Sequence, residues 1–179
     1  MKKTLAILTG LVMVFAVTAV ALAEETTAPV FSMGVQFNMD MDQVMQLVNR
    51  PNPEIDHERT RGMIEFTELE YKKVVTDDGF TADVKFVFSE NSLVAIHFDM
   101  ADRTSYETVK AALVGAYGEA VPFDAAKIDS AKYVIDDDGD LKDCREMIEA
   151  QGVIIVLEQD RDGDVDITFL DPAAAYILN

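Results

Sequence analysis

Apolar residues recur along this chain with two different periods, and the switches between them mark out its elements. After a polar segment at 24–30 that holds Pro29, Met41, Val44, Met45 and Val48 fall on one face of a helix. Asp40 is placed to cap it, Gln43 completes a capping box, and Met39 can staple onto Val44. Pro51 and Pro53 stop it. The charged stretch around His57 then reads as a loop. Ile64 to Tyr71 broadly alternates, but Ile64 and Phe66 are out of phase with Leu69 and Tyr71. A bulge near Thr67-Glu68 would return all four to one face. Beyond an Asp77-Asp78-Gly79 turn, Ala82, Val84, Phe86 and Phe88 alternate with more polar positions. A tight corner at Ser89-Glu90-Asn91-Ser92 leads to Val94, Ile96, Phe98 and Met100. This is the pattern of an antiparallel meander with one wet face.

The helical period returns at Tyr106, Val109, Leu113 and Ala116-Tyr117, with Thr104 and Glu107 as a capping box and Gly118 as a left-handed stop. Lys132 to Ile135 reads as a short strand, and Leu141 to Gln151 as a third helix ended by Gly152. Val153 to Leu157 is a β-branched apolar run, the mark of a central strand. Asp160 to Asp164 turns the chain into Val165, Ile167 and Phe169. Asp171-Pro172 opens one capped helical turn that runs to Tyr176. No internal repeat is visible. Strands arrive in hairpin-sized groups, so the expected fold is α+β: an antiparallel sheet meander of five or six strands with two or three helices packed on one face.

Composition narrows the function classes. The 179 residues carry 33 acids against 15 Lys and Arg, a formal charge of −18, which argues against nucleic acid or an anionic lipid surface as partner. With 49% hydrophobic residues the chain can build a core, so whole-chain disorder is excluded. Residues 1–23 have the form of a signal peptide. Lys2 and Lys3 precede an apolar stretch from Leu5 to Val20, and Ala21-Leu22-Ala23 is a cleavage site. Cleavage after Ala23 would release a secreted or extracytoplasmic chain without a stable membrane anchor. It would consist of a flexible lead-in at 24–30 and one α+β domain at 31–179. The single Cys144 forms no internal disulfide, and its three-and-four apolar spacing reads as a small hydrophobe on a helix.

Several segments together carry a likeness. Phe31-Ser32-Met33-Gly34, Met39 to Val44, Val84-Lys85-Phe86-Val87-Phe88, Ser92-Leu93-Val94-Ala95-Ile96, and Tyr106 with Leu113-x-x-x-Tyr117-Gly118 resemble small exported bacterial proteins. Their folds are those of the β-lactamase inhibitory protein and of the outer-membrane assembly lipoprotein BamE. The likeness covers about 90 residues, mostly apolar and turn positions. Asp42-Gln43-Val44 stands where those proteins carry a Glu-Val-like pair. The lipoprotein cysteine and the inhibitor's disulfides have no counterpart. The resemblance implies binding to another protein or a cell-envelope component, without catalysis.

Calcium is the sharpest chemical candidate. Asp160, Asp162, Asp164 and Asp166 place oxygens at alternate positions, as a hard cation requires, although Val165 stands where a calcium loop needs Gly. Asp136 to Asp140 has a similar defect, with Leu141 at the turning position. An Asp/Gly hairpin turn explains the same residues. His57 and His97 are too few for a three-His metal site, and Arg61 occupies the second ligand position of a zinc-protease pattern begun at His57-Glu58. No Gly-x-Ser-x-Gly elbow and no Gly-rich phosphate loop occurs. Met33, Met39, Met41 and Met45 fit a core face or an adaptable surface. No catalytic residue and no cofactor follow from the sequence. The primary reading is an exported, non-catalytic protein-binding or envelope-interaction module. The alternatives are a calcium-responsive protein using the 160–171 hairpin and a small extracellular hydrolase.

Overall fold

The computed structural model describes residues 33–61, 64–76, 79–101, 103–124, 144–150, 152–160 and 162–173; for 57–61, 64, 65, 144 and 145 it describes the backbone alone. The leader at 1–23, the lead-in at 24–30, the expected strand at 132–135 and the end of the C-terminal turn lie outside these residues. Among the described residues two helices, α1 (Met41–Val48) and α2 (Tyr106–Tyr117), accompany eight strands. The strands are β1 (Glu54–Arg61), β2 (Ile64–Val75), β3 (Thr81–Ser89), β4 (Ser92–Met100), β5 (Val121–Pro122), β6 (Cys144–Ala150), β7 (Val153–Gln159) and β8 (Val165–Leu170). All form one open antiparallel sheet in the order β1-β2-β3-β4-β8-β7-β6-β5. The protein is α+β, with more strands than the five or six expected.

The extra strands are those whose sequence hides them. β1 lies at the sheet edge, where charge is tolerated and blunts strand addition, so the expected loop around His57 is a strand instead. The segment read as a third helix is β6, and Cys144 is a strand residue. Met147 and Ile148 are adjacent yet both buried, one on each face of the strand; two neighbouring apolar positions imitate helical spacing.

The topology repeats. Each half runs helix and then four strands, and the two meanders meet along β4 and β8. Phe86 opposes Ile96 and Val84 opposes Phe98 in the first half; Leu157 opposes Ile167 and Ile155 opposes Phe169 in the second. The four equivalent pairs (Val84 and Ile155, Phe86 and Leu157, Ile96 and Ile167, Phe98 and Phe169) stand at one constant sequence separation. The repeat escapes the sequence because the identity lies in face and register rather than in residue type.

Both helices cover one face of the sheet, where an apolar row crosses six strands as Leu69, Phe86, Ile96, Phe169, Ile155 and Ile148. Edge-to-face rings reinforce its centre, with Phe98 and Phe169 5.7 Å apart and Tyr117 of α2 5.9 Å from Phe169. The α1 capping box forms as expected: Asp40 Oδ1 accepts from the Gln43 N–H at 2.8 Å, and Gln43 Oε1 accepts from the Asp40 N–H at 3.0 Å. At α2 the cap is Ser105 rather than Thr104, whose hydroxyl instead donates to the Ala101 carbonyl at 2.6 Å. Gly118 ends α2 at φ 113°, ψ −165°, outside the left-handed helical well expected there. Tyr106 donates to Glu146 Oε2 at 2.8 Å and Lys110 donates to Glu146 Oε1 at 2.7 Å, tying α2 to β6. The Lys110 hydrogen bond is the main reason the Glu146 carboxyl titrates below its ordinary value.

The expected bulge at Thr67-Glu68 is absent. Pairing with β3 is unbroken from Phe66 to Tyr71, so Phe66 faces away from Leu69 and Tyr71 and joins a second cluster. The register breaks one step later, at Lys72-Lys73, where Lys73 has φ +53° and Val74 returns to the core face. That second cluster of Phe66, Val87, Val94, Ala95, Val156 and Leu170 is buried, so the second face is dry at one end rather than wet throughout.

Replacing Phe86, fully buried in the apolar row, by Ala should lower unfolding free energy by about 3–5 kcal/mol, whereas Ile55→Ala at the edge should change it by about 0.5 kcal/mol or less. Urea denaturation of the two variants checks this. Equal losses would show that the row is not the core.

Candidate functional site: the polar end of the second face

Strand alternation delivers to the second face every residue that the core face does not use. Three rows result. The first, Glu68, Val87, Ala95, Leu170 and Ile154, is mainly apolar. The second is mixed: Glu70, Lys85, His97, Thr168, Val156 and Met147. The third is acidic. Asp83 faces Asp99, Asp99 faces Asp166, and Asp166 faces Glu158, so four carboxylates stand in register across β3, β4, β8 and β7. Like charges directly opposite each other destabilise a sheet, and here three consecutive pairs do so.

Lys72 and Lys85 bring cations to these rows. Lys72, thrown out by the bulge, bridges Glu70 and Asp83, with its Nζ 3.2 Å from Asp83 Oδ2. Asp83 Oδ1 also accepts the Lys73 N–H at 2.7 Å, so the bulge and the start of the acidic row fix one another. Lys85 sits 3.4 Å from Glu68 in the neighbouring rows. At the centre, His97 Nε2 is 3.6 Å from Asp166 Oδ1, beyond hydrogen-bond length, and His97 Nδ1 is 3.0 Å from Thr168 Oγ1.

Burial and the surrounding charges of Asp99, Glu158, Asp160 and Asp164 push the Asp166 carboxyl up to about 7. The Asp166 side chain keeps 29% of its surface in solvent, which screens part of that effect. Asp99 is also raised, by partial burial first and then by the charges of Asp83 and Asp164, with Lys72 opposing, and its exposure screens part of that effect.

The four calcium candidates do not converge. Asp160 closes the β7–β8 turn: its Oδ1 accepts the Gly163 N–H at 2.7 Å and the Asp164 N–H at 2.9 Å, and Gly163 supplies φ +98°. Asp162 and Asp164 are exposed on that turn, while Asp166 lies on β8 beside Asp99. Among the described residues no group of three or more His, Cys, Asp or Glu is arranged to hold a metal ion. Asp171 ends β8, where its carboxylate accepts the Ala173 N–H at 2.8 Å and its own N–H bonds the Val94 carbonyl at 2.9 Å.

Asp166, His97 and Thr168 form a chain that invites comparison with a hydrolytic triad. Thr168 is 1% exposed, so its hydroxyl cannot meet a substrate carbonyl. His97 is thus held in place by a hydroxyl that serves the sheet. A separate cavity of about 300 Å³ opens at the β1–β2 edge, lined by residues that include Arg50, Asn52, Glu54, Glu70 and Lys72. Tyr71 borders it, but its hydroxyl is buried and has no hydrogen-bond partner, so it offers the cavity no reachable polar atom.

The sequence pointed to the Asp160 turn and missed Asp83, Asp99 and Glu158. Their outward phase was readable, but what brings them into line is the pairing of β4 with β8, and nothing local announces that pairing. No helix among the described residues is long and apolar enough to cross a membrane. Comparison with protein-family models, curated proteins and solved structures gives no significant match.

Because the Asp160 carboxylate is taken up by the N–H groups of Gly163 and Asp164, Asp160→Ala should lower stability by about 1–2 kcal/mol, and by the same amount with or without millimolar calcium. Thermal unfolding of both proteins in calcium and in chelator checks this. A loss that appears only in calcium would restore the ion-binding reading.

Proposed function

We propose that this chain is an exported, non-catalytic binding module whose sheet docks a basic protein partner on the polar end of its second face. The observation that carries the reading is the acidic row of Asp83, Asp99, Asp166 and Glu158. It opposes the stability of the sheet at its centre, where Asn, Thr or Ser would serve the ladder equally well. Local features that work against folding concentrate where a protein does its work. A partner bringing Lys or Arg to this strip would be held by its carboxylates, and the charge of −18 would steer such a partner toward it.

Three further features support the proposal. The basic, apolar leader with its alanine site directs the mature chain, from Glu24 onward, outside the cytoplasm. The resemblance of residues 31–118 to exported proteins of the β-lactamase inhibitory protein and BamE fold group favours binding over chemistry. The enclosed hydroxyl of Thr168 removes the nucleophile from the one arrangement on this face that resembles a hydrolytic site.

Capture from envelope extracts tests the reading. The wild-type protein should retain a partner at low salt and release it at high salt. A variant carrying Asp83→Asn, Asp99→Asn and Glu158→Gln should bind that partner about tenfold or more weakly. Equal capture by both proteins, or none at any salt concentration, would contradict the proposal. Mass spectrometry of the secreted fraction should find an amino terminus at Glu24; an intact precursor in the cytosol would remove the compartment on which the reading depends.

A further inference from the structure

The connection from α1 to β1 reads Asn49-Arg50-Pro51-Asn52-Pro53-Glu54, and Arg50, Pro51, Asn52 and Glu54 all line the cavity at the β1–β2 edge. Glu70 and Lys72 of β2 line it too. Two prolines within six residues stiffen this backbone. Asn52 nevertheless adopts φ +58° directly before Pro53, where a residue favours extended backbone. Strain of this kind persists only where the surroundings enforce it, and it gathers at ligand clamps.

β1 pairs with β2 only as far as Glu54 opposite Glu70, so among the described residues β2 has no strand beside it beyond that point. Arg50 reaches across instead, its Nη1 donating to the Lys73 carbonyl at 3.3 Å. That bond pins the guanidinium and leaves its other N–H groups for a further acceptor. The remaining charges are unevenly satisfied. Lys72 is engaged by Glu70 and Asp83, whereas Glu54 faces the like charge of Glu70 across the ladder. Among the described residues neither Arg50 nor Glu54 has an ion pair, although both line one cavity.

We propose that this cavity binds a small zwitterion, a free α-amino acid, with its carboxylate on Arg50 and its ammonium on Glu54. An ion of one sign would answer only one of these two side chains. A ligand that carries both signs answers both, and the planar guanidinium suits a carboxylate in particular. The volume of about 300 Å³ lies at the small end of ligand sites, which matches one amino acid better than a peptide or a nucleotide. Such binding does not depend on partner docking at the acidic row.

Titration of each common α-amino acid into nitrogen-15-labelled protein, followed by NMR, tests this. At least one should shift the amide signals of Asn52, Glu54 and Lys72 and saturate at millimolar concentration. Its N-acetyl derivative, which lacks the ammonium, and its amide, which lacks the carboxylate, should each bind about tenfold or more weakly. Arg50→Gln should weaken the parent amino acid by a similar factor and leave the amide unchanged. Glu54→Gln should weaken the parent and leave the N-acetyl derivative unchanged. The derivatives are measured on the wild-type chain, so they decide the matter even where a variant is destabilised. Absence of any shift at these amides, derivatives that bind as tightly as the parent, or variants that bind the parent as the wild type does would overturn the proposal.

Discussion

The pairing of β4 with β8 is the contact on which the rest of this structure depends. Among the described residues each half is a helix and four strands whose last strand would be an open edge by itself, and the two edges satisfy one another here. The same ladder carries the core across the joint, as Ile96 meets Phe169 and Phe98 meets Ile167. On the reverse side it sets Asp99 against Asp166 and His97 against Thr168. Because side chains alternate, the register that makes the apolar row continuous also fixes the acidic row. One could not be kept while the other was shifted by a residue.

This coupling explains how the sheet bears three like-charge confrontations. The carboxylates sit on strands whose opposite faces hold Phe86, Phe98, Ile167 and Leu157, all essentially fully buried. A buried apolar side chain contributes about 1.5–3 kcal/mol, whereas partly exposed charges repel by less than that in solvent. Burial therefore wins, and the acidic strip persists as a tolerated strain at the end of the face away from the second apolar cluster. The face is thereby graded from dry and apolar to charged.

Much of the fold was legible in the chain because local rules and tertiary needs agree. Asp40 and Gln43 cap α1 as their spacing demands, the β3–β4 corner turns at Glu90 and Asn91 with both φ values positive, and Val153 to Leu157 is an interior strand. Misreadings arose where tertiary burial overrides local pattern. Phe66 and Leu69 looked like one face broken by a bulge, but the sheet buries both of its faces, so each residue is at home on its own side. Met147-Ile148 imitated a helix for the same reason. β1 left only Ile55 as an apolar trace because an edge strand needs little burial. The acidic row was out of reach for a different reason. Asp99 and Asp166 are far apart in sequence, and only the chain's long-range register makes them neighbours.

Native-state hydrogen exchange tests the central claim, that one core spanning both meanders is locked at the β4–β8 ladder. Amides of Ile96, Phe98, Ile167 and Phe169 should be among the slowest to exchange, with β2, β3 and β7 opening in the same global event. Exchange of residues 144–173 as an independent unit, while 33–117 stays protected, would contradict it.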